Sequence, residues 1–161
     1  MANVTRATQA LDSAGVRYRL ARYDYAPGDD RVGLQAAKAL DVDPGMVIKT
    51  LMARVDGEPV CVMLSSAAEI SMKRLAAAFG GKSGAMMPPA DAERMTGYRV
   101  GGISPFGQLR AVPTIVDAAV LDHSHIYVNA GQRGLQLLLA PGDAIRVLDA
   151  IVADLITTAG R

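Results

Sequence analysis

Residues 46–66 constrain the fold of this chain most: "MVIKTLMARV", then "DGEP", then "VCVMLSS". Two apolar runs flank Asp56-Gly57. That pattern predicts an antiparallel hairpin, because the favoured two-residue turn needs positive φ at both central positions. A lone hairpin is marginal in water, so other strands or helices must cover its apolar faces.

The remaining segments can supply them. "TRATQALDSAG" (5–15) reads as an amphipathic helix with Thr5 near its cap and Gly15 past its end. "VRYRLARYDY" (16–25) sets Val16, Tyr18 and Leu20 against Arg17 and Arg19, as in a half-buried strand, and Pro27-Gly28-Asp29-Asp30 breaks it. "LQAAKAL" (34–40) is a short helix stopped by "DVDPG". "SMKRLAAAFGG" (71–81) is a helix with Ser71 as its cap. "KSGAMMPP" is irregular, and "ADAERMTG" (90–97) is another brief helix. "PTIVDAAVL", "HIYVNAG" and "LQLLLA" read as three more strands. "PGDAIRVLDAIVADLITTAG" (141–160) closes the chain as the longest helix expected, with Ile145, Leu148, Ile151 and Leu155 on one face. Strict βαβ alternation is missing. The expectation is one α+β domain over residues 1–161, with a mixed or mostly antiparallel sheet and packed helices.

Composition narrows the function. With 161 residues, the chain suits one core. Half the residues are hydrophobic and 4% aromatic, so aliphatic side chains must build that core. A net charge of +1 provides no bulk field for nucleic acid, and no DNA partner is expected. The single cysteine, Cys61, cannot form an internal disulfide. No apolar run reaches membrane-spanning length. The expectation is a cytoplasmic chain without a membrane partner.

Several residues could carry chemistry. Lys49 interrupts an apolar strand, where it is either a solvated charge or an ammonium held at a pocket mouth to bind an anion or polarised carbonyl. "GYRVGGISPFGQ" (97–108) packs four glycines and a proline among apolar residues. It is either a tight crossover or a cradle of backbone N–H groups for a phosphate or reacting ester oxygen. Phosphate-loop and dinucleotide signatures are missing, so no nucleotide cofactor is expected. His123 and His125 are two apart, but a metal would need a third ligand from Asp or Glu, and no metal is expected. Ser65 and Ser104 have no sequence-visible base. Cys61 reads as a buried, inert thiol. Tyr18, Tyr23 and Tyr25 could stack a terminal base beside Arg17, Arg19 and Arg22, or simply pack the sheet edge.

Taken together, "YDYAPGDD" (23–30), "VIKTLM" (47–52), "TGYRVGGISPFGQ" (96–108), "PTIVDAA" (113–119), "IYVNAGQRGLQL" (126–137) and "PGDAIRVLDAIVADL" (141–155) resemble the YbaK/EbsC family of aminoacyl-tRNA deacylases, related to the editing domain of prolyl-tRNA synthetases. The resemblance covers nearly the whole chain. It implies a barrel-like sheet with surrounding helices. It also implies trans-editing hydrolysis of a mischarged aminoacyl-tRNA, foremost Cys-tRNA(Pro), with transient association with prolyl-tRNA synthetase. The family's essential lysine falls on Lys49, and its G-x-x-x-P loop falls on Gly101 to Pro105. Lys49, Gly101 and Gly102 are then the expected catalytic groups. Tyr23, Val32, Thr50, Ser65, Ile103, Ser104 and Pro105 are the expected substrate contacts. Relatives often carry phenylalanine at Val32, so the amino-acid pocket differs in shape here. A deacylase for another small amino acid such as alanine, and a non-catalytic module binding aminoacyl-tRNA or a synthetase, are the alternatives.

Overall fold

The hairpin sits at the centre of the molecule. In a computed structural model describing residues 4–26 and 32–157, β2 (Val47–Val55) and β3 (Glu58–Ser65) pair antiparallel from Ile48↔Ser65 to Val55↔Glu58. Asp56 and Gly57 take φ of 50° and 85° at the turn, as the Asp-Gly pair predicts.

Around it forms a mixed sheet of eight strands. The others are β1 (Arg19–Arg22), β4 (Gly84–Met86), β5 (Thr114–Asp117), β6 (Ile126–Gln132), β7 (Leu135–Leu139) and β8 (Ile151–Ala153). Their order is β1-β7-β6-β2-β3-β5-β8, with β4 added to β2. Pairs β2–β6, β3–β5 and β5–β8 are parallel, and the rest are antiparallel. Strands β1 and β8 form opposite ends of this order, so the barrel-like sheet does not close. "GAMM", expected to be irregular, contributes β4, which pairs with Ala53–Val55.

Helices α1 (Arg6–Ser13), α2 (Val32–Leu40), α3 (Met72–Ala78), α4 (Pro89–Thr96) and α5 (Pro141–Leu148) cover the sheet. Thr5 caps α1 and Ser71 caps α3, each side-chain oxygen accepting a backbone N–H of the first turn. Leu11 of α1 and Ala144 of α5 pack with Ile126, Val128, Leu135, Leu137 and Leu139 on one side of β6 and β7. Leu75 and Ala76 of α3 cover Val60, Val62, Leu64 and Ile115 in a second cluster. Each fully buried aliphatic side chain stabilises the fold by about 1.5–3 kcal/mol.

The long C-terminal helix does not form. Helix α5 ends at Leu148, and Asp149 caps it in the left-handed region with φ 50° and ψ 44°. The β-branched pair Ile151-Val152 then aligns with Ile115-Val116 as β8. Asp117, buried between these elements, accepts the Leu155 N–H at 2.9 Å and holds the segment in place. The strand expected at 113–121 likewise shortens to β5, and Ala118–Asp122 turns into a 3-10 helix. The turn expected at Pro27–Asp30 lies outside the described residues.

Candidate active site

The site forms where two parallel strands part. Strands β2 and β6 pair only at Val47↔Tyr127 and Ile48↔Val128. Beyond Ile48, β2 gains no further partner on that side until β4 joins at Ala53. The fork between Lys49 and Asn129 is filled by the glycine-rich loop, and Asn129 Nδ2 donates to Gly101 O at 2.9 Å. A cavity of about 270 Å³ lies here, lined by Lys49, Thr50 and Leu51 of β2, Val32–Leu34 of α2, Ser66, Val100, Gly101 and Ile103, with Asn129 and Gln136 behind them.

Lys49 is half-buried in the wall. Its Nζ donates to Ala68 O at 2.7 Å, which fixes the long side chain. Burial pushes its pKa below the usual lysine value, and the Glu69 carboxylate offsets part of that shift. Helix α2 closes over this wall because residue 33 is glycine: a Cβ there would stand 1.9 Å from Ser66 Oγ. Ser66 Oγ donates to Val47 O at 2.7 Å, so the close approach is locked from both sides.

The loop needs glycine at 101. Its φ is 93°, and a Cβ would come within 2.9 Å of the Tyr25 hydroxyl. That Cβ would meet Tyr25 and Arg133. The loop is pinned by Tyr98, whose buried hydroxyl donates to Phe106 O at 2.6 Å, and by fully buried Phe106. Val100, in the same loop, is 41% exposed and does not pin it.

Lys49, Gly101, Val32, Thr50 and Ile103 thus meet around one cavity. The other expected residues do not line it. Gly102 is buried, and its N–H donates to Arg99 O at 2.8 Å, so it is spent inside the loop. Ser104 and Pro105 are buried; Ser104 Oγ accepts the Phe106 N–H at 3.3 Å and shapes the turn. Ser65 Oγ donates to Pro44 O and accepts the Ala67 N–H, while its neighbour Ser66 reaches the cavity. Tyr23 is buried with Ala36, Ala37 and Val47 beneath α2. Tyr25 lies under the Arg133 guanidinium, 5.3 Å from the ring centre. Tyr18 donates to Asp12, so the three tyrosines form no common stacking platform.

Asn129 and Gln136 escaped the sequence reading. The signal for Gln136 was a lone amide in "LQLLL": Leu135, Leu137 and Leu139 face the core, and Gln136 faces the cavity. It is 2% exposed, and its Oε1 has no hydrogen-bond partner. Thr50 Oγ1 is likewise buried without one, and the Tyr23 hydroxyl lies against the Gln136 amide.

Other chemistry does not gather. Cys61 is fully buried, and burial pushes its thiol up to about 12. His123 and His125 fall in the loop before β6, and among the described residues no three metal-ligating side chains come together. A larger cleft of about 1190 Å³, with Arg17, Arg19 and His125 on its rim, contains none of the expected catalytic residues.

Residues 33–147 match the aminoacyl-tRNA editing domain. The chain belongs to the aminoacyl-tRNA editing domain family. Its similarity to a protein of Enterococcus faecalis named "Putative Cys-tRNA(Pro)/Cys-tRNA(Cys) deacylase EbsC" is 31% identity over 155 residues, 95% of this chain and 93% of that one. A segment of the proline–tRNA ligase of Streptococcus suis is 29% identical over 100 residues, 62% of this chain but 16% of the ligase. Among solved structures, the "Crystal structure of a putative trans-editing enzyme for prolyl tRNA synthetase" superposes with a TM-score of 0.80 at 21% identity, covering 94% of this chain and 95% of that one. Another, the hypothetical protein APE2540, superposes with a TM-score of 0.86, also at 21%, covering 95% and 100%. These two similarities show that the fold is that of the editing domain. Within the matched region lie Lys49, the glycine loop, Asn129 and Gln136. No described helix is long and apolar enough to cross a membrane.

Proposed function

We propose that this editing domain hydrolyses the aminoacyl ester of mischarged tRNA, with Cys-tRNA(Pro) as its foremost substrate. One observation carries the reading: the half-buried Lys49 ammonium, held by Ala68 O, shares a small cavity with the open backbone of Gly101. Lys49 has three N–H bonds and spends one on Ala68, leaving two for the ester, ribose or phosphate of the CCA end. The Gly101 N–H makes no hydrogen bond among the described residues, so it is free to meet the oxygen that becomes negative in the transition state. The Gly102 N–H, already donated to Arg99 O, is not.

Among the described residues the cavity wall carries no histidine, carboxylate or thiol, so none of them serves as a conventional general base. An aminoacyl ester is already activated, and positioning plus oxyanion stabilisation supplies much of the required acceleration. Cysteine suits such a site because its own thiol, giving up its proton, can attack the carbonyl while the ester C–O bond breaks; the ribose oxygen leaves with a proton, and water then opens the cyclic thioester to free cysteine. Val32, Leu51 and Ile103 give the cavity apolar walls for a small side chain. The similarity to the EbsC protein supports cysteine, and that to the proline–tRNA ligase segment supports a prolyl-tRNA synthetase as transient partner.

Release of amino acid from Cys-, Ala-, Ser- and Pro-tRNA, each with and without prolyl-tRNA synthetase, tests this. The reading expects cysteine to leave fastest and the synthetase to favour Cys-tRNA(Pro) over Cys-tRNA(Cys). Faster release from Ala-tRNA would move the assignment to alanine, and release at the buffer rate from all four would end the deacylase reading.

A further inference from the structure

Across the fork, three polar side chains stand in one row. Gln136 of β7 pairs with Asn129 of β6. Asn129 comes one residue after the last β6–β2 partners, Ile48↔Val128, which sets it level with Lys49. Side chains level across neighbouring strands share a face. The row therefore runs Gln136, Asn129, Lys49, and because β2 and β6 diverge there its two ends stand further apart than two regular strand spacings of about 10 Å in all.

The members differ in what remains unused. Asn129 is committed at both ends of its amide: Nδ2 donates to Gly101 O, and Oδ1 accepts the Gly131 N–H at 3.3 Å. Lys49 brings a cation at one end. Gln136 brings a buried acceptor without a donor at the other. Its near neighbour is the Tyr23 hydroxyl, whose pKa is raised first by burial and then by the adjacent Tyr25, and lowered in part by the Gln136 amide, which leaves Oε1 as the open end of that amide. A carbonyl oxygen buried without a protein donor is an open acceptor, and a ligand that donates to it gains a hydrogen bond.

We propose that Gln136 Oε1 is the seat for the substrate's α-ammonium, so that the site reads a free amino terminus. This rests on the reading of the cavity as the acyl pocket. Every aminoacyl ester carries one obligate hydrogen-bond donor on its acyl part, and that donor is the ammonium. Charge assigns the orientation: the substrate cation is repelled by Lys49 and accepted at the opposite end of the row, which draws the ester oxygens towards Lys49. Gln136 is thus a positioning and specificity residue. N-acylated and peptidyl esters, which lack the cation and carry extra bulk, are rejected. A domain that removed the nascent chain from a peptidyl-tRNA would abort synthesis, and this seat prevents it without a separate checkpoint.

The test compares alanyl- and cysteinyl-tRNA with their N-acetyl forms, using wild type, Gln136→Met and Gln136→Glu. Methionine keeps the length and loses the acceptor; glutamate keeps the acceptor. A hydrogen bond to a charged group accounts for roughly ten- to hundred-fold. Wild type is expected to favour the free amine by at least that factor. Gln136→Met should lose about as much kcat/KM on the free amine while changing little on the N-acetyl ester, and Gln136→Glu should restore the preference. Equal hydrolysis of both forms by wild type, or an undiminished preference in Gln136→Met, overturns the proposal. Binding of the non-hydrolysable 3′-amide of alanyl-adenosine, against its N-acetyl counterpart, reads the seat without catalysis. Preference for the free amine there upholds the seat even if no ester is cleaved, and equal binding overturns it even if deacylation stands. Thermal melting of each variant separates a lost seat from a lost fold.

Discussion

At the scale of single residues, the account turns on burying a cation that the fold would be easier without. Lys49 has its pKa lowered first by burial, with Glu69 recovering part of the loss. Between that lowered value and the ordinary 10.5, the unfolded chain binds more protons than the folded one, so stability contributed by this site rises with pH across that window. Tyr23 and Tyr98 have raised pKa values and act in the opposite sense, but they are common to wild type and a Lys49→Met variant and cancel in the difference. Urea midpoints taken at increasing alkaline pH should show wild type gaining on Lys49→Met; parallel curves would mean that Lys49 is not desolvated. Lys49 was legible in the sequence because an ammonium within an apolar strand demands an explanation. Gln136 and Asn129 were not, because "IYVNAGQRGLQL" alternates polar and apolar residues as any half-solvated strand pair does. Only the position of α2 over that face shows that these amides are inside. Gly102, Ser104 and Pro105 lie off the cavity for a related reason: sequence adjacency to Gly101 does not say which N–H groups the loop consumes itself.

At the scale of elements, local chemistry explains what could be read and what could not. The Asp56-Gly57 turn and the Thr5 and Ser71 caps were readable because each depends on one or two residues in sequence. The end of α5 was not, since Ile145, Leu148, Ile151 and Leu155 keep a helical spacing through Leu148 and beyond it. What breaks the helix is Asp149 in the left-handed region, together with an open edge of β5 that recruits Ile151–Ala153. Long-range pairing overrides the pattern. Asp149→Gly should therefore stabilise the protein by up to about 1 kcal/mol, because glycine adopts φ 50° without a Cβ penalty. A chemical denaturation curve measures it, and a clear loss of stability would mean that the Asp149 side chain contributes more than its backbone costs.

At the scale of the whole molecule, the site exists because the sheet is mixed and open. A parallel pair that parts after two residues leaves a fork, and the glycine loop, α2 and β7 supply three walls around it. The three walls come from separate parts of the sequence, so the family's fold rather than any one motif assembles the chemistry. The chain's net charge of +1 leaves little long-range attraction for RNA, which fits a domain whose selectivity is concentrated at the acyl end of its substrate. Single-turnover deacylation of Cys-tRNA(Pro) by wild type and Lys49→Ala, with tRNA binding measured alongside, tests most directly the proposal that this fork cleaves an aminoacyl ester through Lys49. Lys49→Ala should be slower by at least about 100-fold, equivalent to about 2.7 kcal/mol of transition-state stabilisation, with binding little changed. Full deacylation by Lys49→Ala, with binding intact, would contradict it.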